Sequence, residues 1–198
     1  MALPNEKSRG FTYADYLTWP DEERWEIIRG VPYDMSPAPA TSHQYVQAQI
    51  IGILARDVSL GNCTVFGSPT DVILPALGED EGESSTVVQP DVLVVCRPER
   101  ITDRAVVGPP DLVVEILSPS TGFKDQSIKF DLYERCGVRE YWVINPETRV
   151  VEIFVRSGEV GPDGSPRYGA PRWYRDPGEI TSDVLGGVVD LTRIWRTE

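Results

Sequence analysis

Two apolar runs follow closely on one another, QPDVLVV at 89–95 and PDLVVEILSPS at 110–120, and each carries a carboxylate where a strand should be hydrophobic. Asp91 stands at the start of the first run and Glu115 in the middle of the second. Successive strand side chains alternate between faces, so Glu115 shares a face with Val113 and Leu117 and opposes Val114 and Ile116. A charge on a packed face costs stability unless something compensates it, and a divalent metal ion held by hard oxygen ligands would do so. Each acid also has a plainer reading. Asp91 follows Pro90 and can accept a turn hydrogen bond, and Glu115 can pair with a buried arginine. Taken together with the lysines of FKDQSIKFDLYERCG just downstream, the pair fits a metal site better.

The surrounding pattern predicts an α/β fold, a mixed central sheet flanked by helices with an N-terminal hairpin. Thr12 and Asp15 in FTYADYL form a weak capping-box signal for a short first helix. WEIIRGVPYDM reads as two short strands around Arg29-Gly30, with Pro32 marking the second as an edge candidate. A helix is expected from His43 to about Leu60, stopped by Gly61-Asn62, after a linker, SPAPATS. Strands are expected at 63–74, 89–96 and 111–118, with the acidic stretch LGEDEGESS as a mobile, solvated loop. A helix over 123–136, bounded by Gly122 and Gly137, would leave a polar face carrying Lys124 and Lys129 opposite its apolar positions. REYWVIN and RVVEIFV make a hairpin, 157–182 reads as irregular, and a small element around DVLGGVVDLTRIW closes the chain.

A chain of 198 residues with 40% hydrophobic and 9% aromatic residues fits one domain over 1–198 and suggests neither disorder nor a membrane span. MALPNEKSRG lacks the apolar core of a signal peptide, so a cytoplasmic location is expected. Cys63, Cys96 and Cys136 are odd in number and far apart, which argues against a disulfide framework or structural zinc and reads as small buried hydrophobes. Nineteen basic against thirty-one acidic residues give a net charge of −12, which disfavours nonspecific wrapping of nucleic acid. The charge is uneven, however: residues 71–91 contain no Lys or Arg, whereas 120–149 balance five bases against five acids. A polyanion would approach the second region, with metal ions offsetting the first.

The order Pro90-Asp91, then Glu115 in VVEILSPST, then K-D-x-x-x-K-x-x-x-Y from Lys124 to Tyr133, then GVREYWVINP, resembles the Uma-type restriction-endonuclease family of the PD-(D/E)XK nuclease superfamily. WEIIRG, MSP at 35–37, His43-Gln44 and the SPTDVIL that holds Asp71 extend the resemblance over roughly residues 12–196. It implies a restriction-endonuclease-like fold and a Mg²⁺-dependent (or Mn²⁺-dependent) nuclease acting on DNA, with Asp91 and Glu115 as metal ligands. Position 117 is leucine where the superfamily signature has lysine. The resemblance supplies that lysine from the following helix, as Lys129 or, second, Lys124.

Glu26, in WEIIRG, matches the family's early glutamate and resembles the auxiliary acid that helps hold metal or water, against the plainer reading of a solvated residue in a half-exposed strand. Asp71 can be a further ligand or support one, or serve a turn or ion pair. His43, the single histidine, can orient a carboxylate or simply pack at a helix start. The tryptophans and Tyr141-Trp142 read as core or subunit contacts, since no basic interleaving accompanies them. Two other functions compete with the nuclease: a catalytically inactive nuclease-fold protein acting as a binding or assembly module, and a glycosidase using Glu26 and Glu115 as its acid and base. A homodimer, presenting two sites to two strands, is expected.

Overall fold

The computed structural model describes residues 10–20, 22–35, 39–57, 63–76, 79–118 and 123–195, with the side chains of 123–126 left out. Thr12 and Asp15 exchange capping-box hydrogen bonds that start the short helix α1 (Tyr13–Tyr16). Strands β1 (Trp25–Ile28) and β2 (Val31–Asp34) pair antiparallel through Arg29 and Gly30, both with positive φ, the geometry a two-residue hairpin turn demands. At Gly30 a Cβ would lie 3.1 Å from the Gly10 Cα, so the close approach of the entering chain also asks for glycine there.

Helix α2 (Thr41–Asp57) fulfils the expected periodicity, burying Val46, Ile50, Ile53 and Leu54; residues 58–62, with the expected stop at Gly61-Asn62, lie outside the described ones. The run expected at 63–74 divides at Ser68-Pro69 into β3 (Thr64–Gly67) and β4 (Asp71–Ile73). Then come β5 (Val87–Val88), β6 (Val92–Val95), β7 (Ala105–Val107), β8 (Leu112–Ile116), helix α3 (Phe123–Cys136), β9 (Glu140–Asn145) and β10 (Val150–Val160).

The strands build the expected mixed central sheet, flanked by helices, together with the N-terminal hairpin. Among the described residues they form a five-stranded sheet, β2-β1-β5-β4-β7, and a larger one with the path β10-β9-β8-β6-β3. The predicted hairpin β1–β2 is thus the edge of the smaller sheet, with Pro32 on its outermost strand. Alternation sorts the core. Val92, Val94, Val114, Trp142 and Ile144 face α2, while Leu93, Val113, Tyr141 and Val143 meet Leu132 and Tyr133 of α3 together with Ile28, Val72 and Val88 of the smaller sheet. The outer face of the smaller sheet, through Ile27, Ile73 and Val87, is covered by Phe11 and Tyr13.

Three expectations are corrected. Residues 157–182 are not irregular: β10 runs to Val160, and β11 (Pro166–Tyr168), β12 (Arg172–Arg175) and β13 (Glu179–Ser182) follow before β14 (Gly187–Asp190). Strands β11 and β12 both pair with the long β10, so pairing partners rather than local composition made strands of them. LGEDEGESS is not wholly solvated, because Ser84 is buried and its carbonyl accepts from Tyr13 N–H at 2.8 Å. Cys63 and Cys96 form a disulfide: thirty-three residues apart in sequence, they sit opposite one another because β3 and β6 pair with Thr64 against Val95. Lys129, on the polar face of α3, is buried at 7% exposure.

Candidate active site

The two sheets meet face to face around Glu26 and Glu115. Glu26 lies in β1 two residues before Ile28 and so points inward from the smaller sheet, while Glu115 lies in β8 on the same face as Val113. Helix α3 closes the gap between them. Lys129 Nζ reaches Glu26 Oε1 at 3.0 Å and Glu115 Oε1 at 3.1 Å, and one turn later Tyr133 donates to Glu115 Oε1 at 2.7 Å. Residues four apart on a helix share a face, which puts the ammonium and the phenol on the same carboxylate.

Asp91 arrives by strand pairing. β6 and β8 are antiparallel with Val92 opposite Val114, so Asp91 falls beside the Glu115-Ile116 step. Its Oδ2 accepts the Ile116 N–H at 2.7 Å and contacts His43 Nε2 at 3.1 Å. Its backbone carbonyl accepts from Gln47 Nε2 at 2.8 Å and from Ser68 N–H at 3.0 Å. The turn reading of Asp91 therefore does not describe it: the carboxylate bridges strand β8 and the start of α2. His43 is buried there, and its Nδ1 has no hydrogen-bond partner.

The alternative partner for Glu115, an arginine, is also replaced, by Lys129 and Tyr133. Glu26 is buried at 2% exposure, not solvated, and its Oε1 also accepts the Gln89 N–H at 2.8 Å. Asp71 stands apart from this group. Its Oδ1 accepts from Tyr16 Oη at 3.0 Å and Gln89 Nε2 at 2.9 Å, so it reaches the site only through Gln89. The side chain of Lys124 lies outside the described residues. Leu117 packs in the core beside Val113.

Electrostatically the group is unbalanced. One ammonium serves two carboxylates in contact with it, with Asp91 also within electrostatic reach. Burial pushes the Glu115 carboxyl up from 4.5 to about 7; Lys129 pulls it down, while Asp91 and Glu26 push it further up. Burial alone would deprotonate Lys129, yet the charges of Glu115 and Glu26 hold it well above its ordinary value. Burial likewise opposes a charged His43, but its hydrogen bond to Asp91 and that acid's charge carry the imidazole above its ordinary value.

Among the described residues no three His, Cys, Asp or Glu side chains converge closely enough to hold a metal ion alone. That arrangement does not exclude a hard cation such as Mg²⁺, which takes one or two carboxylates, keeps several waters and completes its shell from substrate phosphates. The donor set of Asp91 and Glu115, oxygen ligands brought side by side by the pairing of β6 and β8, fits such an ion.

Residues 13–179 match the family described as "Uma2: Putative restriction endonuclease". The chain belongs to the Uma2 family. It is 25% identical over 148 residues, 73% of this chain and 74% of the relative, to an uncharacterized protein of Synechocystis sp. (strain ATCC 27184 / PCC 6803 / Kazusa). Its fold is similar to the crystal structure of "a putative nuclease belonging to DUF820" from Anabaena variabilis ATCC 29413, with a TM-score of 0.66, 18% identity, and coverage of 88% of this chain and 90% of that one. At that identity the likeness is one of fold, and it makes the architecture of this Uma2 protein restriction-endonuclease-like.

Sequence reasoning gave no role to Tyr133 or Gln89, although Tyr133 stood inside the motif that carried the resemblance. The spacing of Tyr133 from Lys129 was the available signal. For Gln89 there was none, since it acts through its backbone N–H and its amide. Among the described residues no helix is long and apolar enough to cross a membrane.

Proposed function

We propose that this Uma2 protein is a Mg²⁺-dependent endonuclease that hydrolyses DNA phosphodiester bonds, with Mn²⁺ as an alternative ion. The observation that carries the reading is the insertion of Lys129 between Glu26 and Glu115, with Asp91 fixed beside them by the Ile116 N–H. Asp91 and Glu115 would hold the ion. Bound there, it would supply Lewis acidity at the phosphoryl oxygens and a lowered water pKa. The protein's own groups do the rest. His43 and the Ile116 N–H fix the rotamer of Asp91, the Tyr133 hydroxyl fixes Glu115, and Lys129 presents a permanent positive charge toward an entering phosphate. Glu26, held by the Gln89 N–H, restrains the Lys129 ammonium and can orient a water beside it. The working unit in this reading is a homodimer, one site for each strand, which light scattering would test.

Cleavage of a panel of plasmid, linear and single-stranded DNA in Mg²⁺ and Mn²⁺, with Glu115→Ala and Lys129→Ala as controls, tests the proposal. Metal-dependent cutting that both substitutions abolish is the expected result. Native, folded protein that binds neither ion in calorimetry and leaves every substrate intact would sink it. One observation favours a second reading, an inactive nuclease-fold protein serving as a binding or assembly module: no three His, Cys, Asp or Glu side chains among the described residues converge closely enough to hold a metal ion. A folded dimer without metal binding would support that second reading.

A further inference from the structure

Arg24 precedes β1 by one residue, is half-buried, and lies two residues from Glu26. Its guanidinium donates through both Nε, at 3.2 Å, and Nη2, at 2.8 Å, to a single acceptor, Gln89 Oε1. That acceptor is neutral. Among the described residues no Asp or Glu oxygen lies within ion-pair distance of Arg24, whereas Arg135, Arg139, Arg149, Arg167 and Arg172 each have an acidic partner. A guanidinium ordinarily takes a carboxylate or a phosphate bidentately.

The amide is not free to turn. Gln89 is 5% exposed, its Nε2 donates to Asp71 Oδ1 at 2.9 Å and to Tyr16 Oη at 3.2 Å, and its backbone N–H is spent on Glu26. Because Asp71 accepts from that nitrogen, the amide oxygen is left facing Arg24. The same residue joins the guanidinium to the acid cluster, in the order Arg24, Gln89, Glu26, Lys129, Glu115. Along this network Gln89 stands between Arg24 and the carboxylates of both Asp71 and Glu26. The guanidinium is therefore held in place at its Nε side by a neutral acceptor and, among the described residues, has no ion-pair partner. Among those residues Nη1 and the second hydrogen of Nη2 are left for an oxyanion.

We infer that Arg24 binds a backbone phosphate of a nucleic-acid strand lying across the acid cluster. Gln89, oriented by Asp71 and Tyr16, is its positioning residue. This assigns a purpose to the Asp71 network, which stands apart from the metal ligands. It rests on the nuclease reading for the identity of the anion, and the test separates the two.

The full-length protein and its Arg24→Gln and Arg24→Lys variants are titrated with a short fluorescein-labelled DNA duplex in Ca²⁺, following anisotropy over a series of salt concentrations, with thermal midpoints recorded in parallel. Arg24→Gln is expected to weaken low-salt binding about tenfold, the weight of one charged hydrogen-bonding contact. It also makes the slope of log K against log salt shallower by about 0.9. Arg24→Lys, which keeps the charge but not the fork, recovers the slope and part of the affinity. An Arg24→Gln variant with the wild-type salt slope overturns the inference whatever its thermal midpoint, and so does a wild-type protein that binds no DNA. Wild-type protein that binds DNA with the expected slope but cuts nothing removes the nuclease reading and leaves Arg24 standing. Cleavage by the wild type combined with an unchanged Arg24→Gln slope does the reverse.

Discussion

The parallel strands β8 and β9 each bury a glutamate, and the two are solved differently. Glu140, paired in register with Leu112, is fully buried. Its Oε1 accepts the Trp142 indole N–H at 2.6 Å, and its Oε2 accepts the Asp183 and Val184 N–H groups at 2.8 and 2.9 Å. Three neutral donors, two of them rigid backbone, satisfy the charge without any mobile partner. Glu115, three residues along β8 and less deeply buried, instead shares one ammonium with Glu26 and lies within electrostatic reach of Asp91. Glu140 is a finished joint, fastening the turn before Leu185 to the sheet. Glu115 is left short of positive charge, which is the state a ligand-binding carboxylate needs.

The contrast is sharpest when each acid is removed. Glu115→Ala should abolish metal-dependent cleavage, by on the order of 10³-fold or more, measured on plasmid DNA in Mg²⁺. If its thermal midpoint falls as far as that of a Glu140 variant while activity persists, the distinction between the two acids fails. Glu140→Ala should leave the buried Trp142 indole N–H and two partly buried backbone N–H groups without their acceptor and cost about 3 kcal/mol of stability by urea denaturation. Cleavage per folded molecule should remain unchanged.

The pH dependence separates the two acids next. The folded-state value of Glu115 is raised from 4.5 to about 7, so the folded protein binds a proton more readily there than the unfolded chain does. The stability from this group is fully present below about 4.5 and is lost as pH rises through about 7, at most about 3 kcal/mol. His43, also raised, acts in the same direction. In EDTA the thermal midpoint should therefore rise as pH falls from about 8 to about 5, and Glu115→Gln should remove most of that slope. A wild-type slope retained in Glu115→Gln would show that the cluster is compensated as well as Glu140 is.

The smallest effect belongs to Tyr133→Phe, which deletes one hydrogen bond to Glu115. About 1 kcal/mol of stability and a further upward drift of the Glu115 titration are expected, the latter read by carboxylate infrared or NMR chemical shifts.

Much of this was legible before any coordinates. Alternation put Glu115 on the Val113 face, and the capping box and the Arg29-Gly30 turn are written in a handful of adjacent residues. Lys129 is legible as the candidate that replaces the lysine missing at position 117, on the polar face of its helix; only the approach of β1 and β8 buries it between two carboxylates. Asp71 was grouped with the acids because it also sits in a half-buried strand, yet β4 lies beyond β5 in the smaller sheet, and Gln89 intervenes. The Cys63–Cys96 bond and the strands after 157 were missed for a shared reason: each depends on which distant strand pairs with which.

By itself the sequence determined the elements, the faces their side chains take, and the presence of carboxylates that those faces cannot absorb, since these follow from spacings of two and four residues. The tertiary structure alone decided that a second sheet brings Glu26 against Glu115, that Lys129 is shared between them, that Asp91 is pinned by the Ile116 N–H, and that Arg24 is anchored on an amide. Those contacts join residues separated by 14 to 103 positions in the chain, and at such separations register and sheet packing, not local preference, fix which charges meet.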